Sequence, residues 1–360
     1  MKVLMLSIDK KIFEEGSDVR NRMIEYGQLF DELHIVVYTK KGFSNIKISA
    51  NVFIYPTSSL SKFSYFSNTY KICKKIIKDN SVDIITSQDA FTNLVAIKLK
   101  YKFKNIKLQI QIHTDFLSRK FRKESMKNFF RYRGYIKGIK NADCIRVVSE
   151  SMKNKLTQQF GIDSSKIFVL PIFVDIEKIR NTPITVDLHK KYPQFNKIIL
   201  MASRLEKEKN IQLAISAIQE VIKKYPKTGL VIVGDGSRLK SLKAESERLK
   251  EGIVFEGWQE KQTIYSYYKT ADLFLITSDY EGYGLTIIEA LATGLPVLST
   301  DVGIAREMGA LIVDRDSIAK NIVKYIEDKP ISRATLDIKY PYKNKQDYLD
   351  KFKQSFICAS

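Results

Sequence analysis

Cysteine and histidine are scarce in this sequence, with only three of each among 360 residues. The cysteines Cys73, Cys144 and Cys358 lie far apart and form no C-x-x-C pair. Of the histidines, His34 and His189 have no acidic or cysteine neighbours at the spacing of metal ligands. This scarcity argues against a zinc pattern and a disulfide framework and favours a reducing, cytoplasmic setting.

Long apolar segments are also missing. No run approaches the roughly 18 apolar residues that a membrane-spanning helix needs. The N-terminal stretch is interrupted by Asp9, too early for a secretory signal, so it is expected to be a first buried strand. The apolar fraction of 44% is nevertheless that of a globular protein. A chain of 360 residues exceeds what one hydrophobic core usually fills, which favours two domains.

Acidic residues are too few to balance the basic ones, because 40 Asp and Glu face 60 Lys and Arg and leave a net charge of +20. Fourteen of the basic residues lie in the region Lys98–Lys140, where only Asp115 and Glu124 oppose them. Aromatic residues alternate with cations over residues 127–137, as in a helix that lies on an anionic membrane surface. A solvated basic face on a lysine-rich protein explains the same residues equally well.

Apolar runs typical of strands alternate with longer amphipathic stretches typical of helices. The predicted strands are Leu33–Tyr38, Asp83–Thr86, Lys107–Ile112, Cys144–Ser149, Ile167–Leu170, Lys197–Met201, Gly229–Val233, Gly252–Phe255, Leu273–Ile276 and Pro296–Ser299. The predicted helices are Arg20–Phe30, Phe66–Asp79, Phe91–Lys100, Glu150–Phe160, Asn210–Tyr225, Ser237–Lys250, Lys261–Lys269, Thr286–Thr293 and Gln346–Phe356. This alternation predicts an α/β protein with parallel sheets covered by helices on both faces.

Prolines and polar residues between Pro171 and Pro193 interrupt the alternation. The sequence therefore predicts two Rossmann-like domains with doubly wound sheets. Residues 1–172 would form the N-terminal domain, completed by a C-terminal helix at about 340–360, and residues 173–339 would form the second domain.

The most informative segment is 281–297. Its glycines Gly282 and Gly284 leave backbone N–H groups uncovered where a helix is predicted to start, so a ligand can approach closely. Glu281 precedes that helix, and Glu289 lies in its apolar stretch, where a carboxylate without a partner is costly. We interpret the two carboxylates as binding groups for two hydroxyl-rich parts of a ligand. The alternative is an ordinary loop followed by a solvated glutamate.

Arg204 and Lys209 lie at a predicted strand-to-helix junction of the same domain, where α/β proteins bind ligands. Both can reach a diphosphate, Arg204 through paired N–H groups of its guanidinium and Lys209 through a single positive charge. Gly234 lies in a turn after another predicted strand. Trp258, the only tryptophan, follows a further one and either lines a nucleotide base or fills the core.

In the first domain, His113 ends a predicted buried strand, where a ligand contact and a purely structural role are equally good interpretations. Gly16 and Ser17 belong to a short loop after the first strand. That loop has neither the G-x-G-x-x-G nor the G-K-[ST] pattern of phosphate-binding loops.

Together these segments resemble glycosyltransferase family 4. The matching order is Ser203-Arg-Leu-x(3)-Lys209-Asn, Gly234-Asp-Gly, Phe255-x-Gly257, Ala271-Asp and Glu281-Gly-x-Gly-Leu-x(3)-Glu289-Ala. The spacing from Glu281 to Glu289 matches the E-x7-E motif of these enzymes. The resemblance is specific over residues 197–302 and looser in the first domain. It departs at Ser17, where a second glycine is common, and at residues 301–307, where a Gly-Gly-x-x-Glu turn is common.

The resemblance implies the GT-B fold, with the two domains facing a central cleft, and sugar transfer with retained anomeric configuration. It implies that Arg204 and Lys209 neutralise the donor diphosphate while Glu281 contacts the transferred sugar. It implies that His113 touches the same sugar. The other implied donor contacts are Gly16, Ser17, Gly234, Trp258, Gly282, Tyr283, Gly284, Leu285, Thr286 and Glu289, the last on the ribose hydroxyls.

The implied substrates are a UDP- or GDP-sugar and a glycan, lipid-linked or other hydroxyl acceptor of surface polysaccharide or glycolipid synthesis. No tightly bound cofactor is implied, and no metal, since two cations can replace a magnesium ion. The expected location is cytoplasmic, and peripheral on the inner membrane face if the basic region binds lipid. The alternatives are another GT-B enzyme, such as a sugar-phosphate synthase or phosphorylase, or a non-catalytic binder of anionic surfaces. Nucleic acid is not an expected partner, because no known nucleic-acid-binding pattern is visible.

Overall fold

The structure, a computed structural model, describes residues 1–247, 252–328 and 340–357. The chain forms two compact units. Unit 1 comprises Met1–Pro171 together with the C-terminal segment that begins at Lys343, and unit 2 comprises Ile172–Tyr342. The division follows Pro171, one residue before the division predicted from the sequence.

A β-sheet forms the centre of each unit. The strands of unit 1 are β1 Lys2–Ser7, β2 Glu32–Val37, β3 Ile46–Ser49, β4 Val52–Pro56, β5 Ile84–Ser87, β6 Lys107–Ile112, β7 Cys144–Val147 and β8 Ile167–Val169. The strands of unit 2 are β9 Lys197–Ala202, β10 Thr228–Val233, β11 Ile253–Gly257, β12 Leu273–Ile276, β13 Val297–Ser299 and β14 Leu311–Ile312.

The strands are ordered β3-β4-β2-β1-β5-β6-β7-β8 in unit 1 and β11-β10-β9-β12-β13-β14 in unit 2. Among these, β3 pairs antiparallel with β4, whereas the central strands pair in parallel. The central strands are buried along most of their length, as in β10, because helices cover both faces of a parallel sheet. The predicted fold of two parallel-sheet α/β domains is confirmed.

The helices cover these sheets. They are α1 Asp18–Gly27, α2 Tyr65–Asn80, α3 Ala90–Lys102, α4 Arg119–Glu124, α5 Met126–Asn141, α6 Glu150–Phe160, α7 Ile176–Asn181, α8 Leu188–Lys191, α9 Ile211–Lys224, α10 Leu239–Glu247, α11 Lys261–Thr270, α12 Leu285–Ala292, α13 Ile318–Glu327 and α14 Lys345–Gln354. Side chains of Ser17, Asp89, Ser125 and Ser149 cap α1, α3, α5 and α6 by accepting from backbone N–H groups.

Several of these elements are absent from the sequence-based prediction, which omits β3, β4, β14, α4, α7, α8 and α13. Strands of two to five residues, such as β3, β4 and β14, are too short to show the periodicity by which strands are recognised. The helix predicted over Ser237–Lys250 begins at Leu239, and its last three residues lie outside the described ranges.

The cysteines correct one expectation. Cys144 is disulfide-bonded, which the sequence analysis, with no disulfide framework in the cysteine spacing, did not predict. Cys73 is a free thiol in the core, where burial raises its pKa, and Cys358 lies outside the described residues. The inference from cysteine scarcity to a reducing compartment therefore loses its support. Within the described ranges, no helix is long and apolar enough to cross a membrane.

The C-terminal helix α14 belongs to unit 1 because its aromatic side chains pack into that unit. The ring of Phe352 stacks on Tyr26 with centroids 4.0 Å apart, and the Arg146 guanidinium lies 5.0 Å from the same ring. Tyr26 and Tyr348 share a hydrogen bond of 2.6 Å between their hydroxyls. Gln109 Nε2 donates to the carbonyl of Ser355. Phe352 is thus the anchor through which the end of the chain completes unit 1.

Phe352→Ala should lower the free energy of unfolding by about 3–5 kcal/mol, because Phe352 is fully buried and its removal leaves a cavity. Urea unfolding followed by circular dichroism measures the change. Lys353→Ala is the control, since Lys353 is exposed on the same helix and should change stability by less than about 0.5 kcal/mol. Equal effects of the two substitutions would contradict the anchoring role.

Candidate donor-binding site

The order of the strands reverses at one point in the sheet of unit 2. β9 lies between β10 and β12, so the loops that follow β9 and β12 leave the sheet in different directions. Such a switch point opens a crevice at the carboxyl ends of the strands, where α/β proteins bind ligands. The loop of residues 203–210 after β9 and the loop of residues 277–284 after β12 border this crevice. They carry Arg204, Lys209 and Glu281.

Lys209 and Glu281 join the two loops through an ion pair that is largely shielded from water. Lys209 Nζ lies 2.6 Å from Glu281 Oε1, and the two side chains are only 14% and 15% exposed. The same oxygen accepts a hydrogen bond of 2.7 Å from Ser278 Oγ. The sequence marked both residues as ligand contacts but did not predict that they contact each other. An anionic ligand at this position must compete with Glu281 for Lys209.

The backbone around Lys209 is fixed by residues that the sequence analysis did not identify. Thr277 Oγ1 donates to the carbonyls of Lys209 and Asn210, each at 3.0 Å. Asn210 adopts a left-handed conformation with φ 45°, and its Nδ2 donates to Asp279 Oδ1 at 3.3 Å. Arg315 forms an ion pair with Asp279. Residues far apart in sequence thus hold Lys209 in place, and no motif spacing in the sequence predicts these contacts.

Arg204 behaves differently from Lys209. Its side chain is 73% exposed, and Nη2 lies 2.8 Å from Glu208 Oε1. The sequence grouped the two cations as a pair for one diphosphate. In the structure each cation has its own carboxylate, and Glu208 and Glu281 are similarly shielded, at 13% and 15% exposed. The difference lies in the cations, since only the Lys209 side chain is itself shielded.

Glu289 lies on the second turn of α12 and is mostly shielded from water. Tyr268 Oη donates to Glu289 Oε2 at 3.4 Å, and Tyr268 itself is fully buried. Burial raises the pKa of the Glu289 carboxyl, while the hydrogen bond from Tyr268 and the charge of Lys261 act in the opposite direction. Because a carboxylate in an apolar helix needs a partner, the Tyr268 hydroxyl explains how Glu289 is accommodated there.

The loop before α12 brings backbone close to the crevice. Gly284, with φ 95°, immediately precedes α12, and the first amides of a helix lack partners within it. Tyr283 is only 3% exposed, whereas Gly282 and Thr286 are half-buried and Leu285 is exposed. Tyr283 can therefore offer a ligand its main chain more readily than its ring.

Gly234 and Trp258 follow β10 and β11. A Cβ on Gly234 would lie 1.9 Å from the carbonyl oxygen of Ser203, so glycine is needed for close packing against the β9 loop. The Gly234 amide donates to the carbonyl of Gly257 at 2.7 Å. Trp258 is 71% exposed, so the alternative that it fills the core is wrong. Whether it contacts a nucleotide base stays a prediction.

Two predicted site residues of unit 1, Gly16 and Ser17, lie on the segment that follows β1, at that unit's own switch point. There β1 stands between β2 and β5. Gly16 has φ 73° with open space where a Cβ would be. Ser17 Oγ accepts from the amide of Arg20 at 3.2 Å and donates to the carbonyl of Lys11 at 2.6 Å. A serine in place of the second glycine therefore serves as the cap of α1.

His113 follows β6, next to β5. Its Nε2 lies 3.4 Å from Gln111 Oε1, which also accepts a hydrogen bond of 2.7 Å from Arg146 Nη1. Burial lowers the pKa of His113 to about 3, and the positive charges of Arg146 and Arg22 add to this effect. The imidazole is therefore neutral at physiological pH and can act only through hydrogen bonds, not as a cation.

The depressed pKa of His113 predicts a loss of stability in acid. In the unfolded chain a histidine binds a proton at about pH 6.5, whereas in the folded chain it does so only at about pH 3. Stability from the neutral ring is therefore complete above pH 6.5 and declines as the pH falls toward 3.

Urea unfolding of the wild type and of His113→Asn should show a smaller loss of stability between pH 7 and 5 in the variant. His189→Asn, which changes a half-buried histidine of unit 2, is the control. Identical pH profiles for His113→Asn and the wild type would contradict the buried neutral ring.

Comparisons with known proteins place the two units in one family. A family model described as "Glycosyl transferases group 1" matches residues 188–337, and one described as "Glycosyltransferase Family 4" matches residues 27–178. Within the described residues, no group of three His, Cys, Asp or Glu side chains is arranged to hold a metal ion.

Characterised relatives match over different lengths. An alpha-monoglucosyldiacylglycerol synthase of Streptococcus pneumoniae is 39% identical over 105 residues, which is 29% of this chain and 24% of that enzyme. A UDP-Gal:alpha-D-GlcNAc-diphosphoundecaprenol alpha-1,3-galactosyltransferase of Escherichia coli is 24% identical over 274 residues, 72% of this chain and 70% of that enzyme. The match therefore spans about a quarter of the first relative's length.

Among solved structures, Anabaena HepE in complex with UDP and glucose superposes with a TM-score of 0.67 at 19% identity. It covers 91% of this chain and 90% of its own. The lipopolysaccharide outer core galactosyltransferase WaaB gives a TM-score of 0.68 at 18% identity and covers 99% of each chain. These likenesses concern the fold. With one family match on each unit, the chain belongs to glycosyltransferase family 4 and has the GT-B fold.

Proposed function

We propose that this glycosyltransferase moves a sugar from a UDP- or GDP-sugar to a hydroxyl of a glycan or lipid-linked acceptor, with retention of anomeric configuration. The observation that carries the proposal is the shielded ion pair between Lys209 and Glu281 at the switch point of unit 2. The Escherichia coli relative, named for a UDP-galactose donor and a diphosphoundecaprenol-linked acceptor, supports surface polysaccharide or glycolipid synthesis. A lipid-linked acceptor would bring the reaction to the cytoplasmic face of a membrane.

The ion pair suggests how the donor enters. The diphosphate offers Lys209 an anionic partner with more negative charge than one carboxylate, so Lys209 exchanges Glu281 for phosphate oxygens. Glu281 then becomes available to accept hydrogen bonds from the hydroxyls of the sugar. Ser278 still donates to Glu281 at 2.7 Å and keeps the carboxylate oriented. Arg204, exposed and held only by Glu208, can turn to the same diphosphate.

The remaining residues of the candidate site would each contact a different part of the nucleotide sugar. Glu289, oriented by Tyr268, would accept the ribose hydroxyls. The amides at the start of α12, from Gly284 to Thr286, would donate to the phosphates, as helix N-termini do. His113 and Gly16 of unit 1 would contact the sugar and the diphosphate. No metal is required in this scheme, because Lys209 and Arg204 supply the positive charge.

Transfer breaks the bond between the anomeric carbon and the phosphate oxygen and forms a bond from the acceptor oxygen to the same face of that carbon. The acceptor proton passes to the departing phosphate oxygen, and a nucleoside diphosphate leaves. Lys209 and Arg204 stabilise the charge that develops on this leaving group. Neither Glu281 nor Glu289 exchanges a proton in this scheme, so both serve in binding.

Incubation with a panel of UDP-, GDP- and ADP-sugars should release nucleoside diphosphate from one donor class, and proton NMR of the product should show the anomeric configuration of the donor.

The cognate diphosphate at 100 times its dissociation constant should stabilise the fold by about 2.7 kcal/mol. The matched monophosphate should stabilise it less, because it lacks a phosphate for Lys209. An inverted product would refute retention, and equal stabilisation by both nucleotides would refute the phosphate contact.

Lys209→Ala should lower kcat by about 10²–10³, the loss typical of removing one group that stabilises developing negative charge. Lys207→Ala is the control, since this exposed lysine lies two residues away on the same loop and should keep the wild-type rate. Circular dichroism of both variants establishes that they are folded. A wild-type rate in folded Lys209→Ala would contradict the assigned role.

A further inference from the structure

Two neighbouring helices of unit 1, α3 and α5, lie unusually close together. A Cβ on Gly134 of α5 would lie 2.6 Å from the carbonyl oxygen of Ala90 at the start of α3. A Cβ on Gly138, one turn later, would lie 2.7 Å from Asn93 Nδ2, again about one turn later on α3. Since both contacts advance in the same direction, the helices run parallel, and their starting ends are side by side.

Each helix presents an exposed row of side chains that changes character along its length. On α5 the row is Met126, Phe130, Arg133, Lys137 and Lys140, spaced by three or four residues and therefore on one face. It begins with apolar side chains, of which Phe130 is 55% exposed, and ends with cations.

The row on α3 follows the same pattern. It runs from Phe91, which is 39% exposed, and the half-buried Leu94 to the exposed Lys98. Because the helices are parallel, the apolar ends of the two rows coincide. The Lys98 ammonium lies over the rings of Phe66 and Tyr70 of α2, so the cations that line the groove come from α5.

A groove of about 680 Å³ runs between these rows. Phe91, Leu94 and Phe130 line its apolar part, and Arg133, Lys137 and Lys140 line its cationic part. In the part of the chain that the structure describes, none of these three cations forms an ion pair with a carboxylate. The volume lies within the range of small-ligand sites, about 300–1,000 Å³.

We propose that this groove binds one anionic membrane lipid, with a hydrocarbon chain along Phe91, Leu94 and Phe130 and the headgroup phosphate at Lys137 and Lys140. The separation of apolar and cationic ends along the helix axis is that of an amphiphile. From Phe130 to Lys140 the helix rises about 15 Å, half the roughly 30 Å thickness of a bilayer's hydrocarbon core. The site therefore has the length of one leaflet.

A solvated basic face does not account for this arrangement, because such a face has no reason to expose phenylalanines beside a groove. Nucleic acid would satisfy the cations but not the apolar part. The proposal is independent of the donor site, since every residue in it belongs to unit 1 and none is among the predicted donor contacts. It also fixes which residues of the basic region meet a membrane.

Co-sedimentation with vesicles of equal parts phosphatidylglycerol and phosphatidylcholine tests the cationic end. Because each lysine near an anionic surface contributes about fivefold in binding, Lys137→Gln/Lys140→Gln should bind about 30-fold more weakly. Lys240→Gln/Lys243→Gln removes the same charge from exposed positions on α10 of unit 2 and is the matched control. Equal losses in both variants would show only an effect of net charge and would overturn the site.

Titration with monomeric dodecyl phosphate tests the groove itself, against inorganic phosphate and dodecyl maltoside. Of the three compounds, only dodecyl phosphate has both a hydrocarbon chain and an anionic group, so only it should bind, with one molecule per protein chain. Phe130→Ala should weaken its binding about tenfold or more, the effect of losing a buried phenyl group. Phe63→Ala should not weaken it, although Phe63 is 96% exposed, because Phe63 does not line the groove.

Three results would overturn the proposal. Equal losses in Phe63→Ala and Phe130→Ala would indicate unspecific aromatic insertion. Equal binding of inorganic phosphate would indicate an anion site without a chain site. Binding of random duplex DNA through the same lysines, without any binding of dodecyl phosphate, would assign the surface to nucleic acid. Sugar transfer to a soluble acceptor serves as a separate readout and should be unchanged in Phe130→Ala.

Discussion

The ion pair between Lys209 and Glu281 is the constraint on which the candidate donor site of unit 2 depends. Taking two charges largely out of water is costly, and removing one partner of such a pair costs about 3–5 kcal/mol because the other charge is left unpaired. The surrounding loops must therefore be held in place so that the charges meet. Thr277 holds the two carbonyls beside Lys209, and Asp279 with Arg315 fixes the next turn.

In the proposed scheme, the same constraint would let a diphosphate enter without unfolding the loops. Phosphate would replace one anion by another, so Lys209 would stay paired during the exchange. Glu281 would lose a counter-ion but keep the hydrogen bond from Ser278. A binding site that is already paired in its empty state avoids leaving a buried charge alone, which is the costly alternative.

Environment assigns different tasks to ionisable groups of similar type. The Lys209 side chain is shielded against a carboxylate, whereas the Arg204 side chain is 73% exposed in its pair with Glu208. Burial raises the pKa of Glu289, although the hydrogen bond from Tyr268 acts in the opposite direction. Burial and two arginines keep His113 neutral, so its proposed contact with the sugar would be a hydrogen bond. These differences suit binding and charge stabilisation and do not resemble an acid–base pair.

Much of the protein follows from the sequence alone. The alternation of apolar and amphipathic runs determined two α/β units, and the strands β6 and β12 and the helix α6 have the predicted bounds because their ends coincide with clear changes of polarity. The spacing of glycines and charges after β9 and β12 marked Lys209, Glu281 and Glu289. What the sequence could not determine are contacts between distant residues. Only the tertiary structure decided that Lys209 meets Glu281, that Tyr268 accompanies Glu289, that Cys144 is bridged, and that the apolar ends of α3 and α5 lie side by side. Periodicity reports how one segment faces its surroundings, whereas these pairings depend on how separate segments pack.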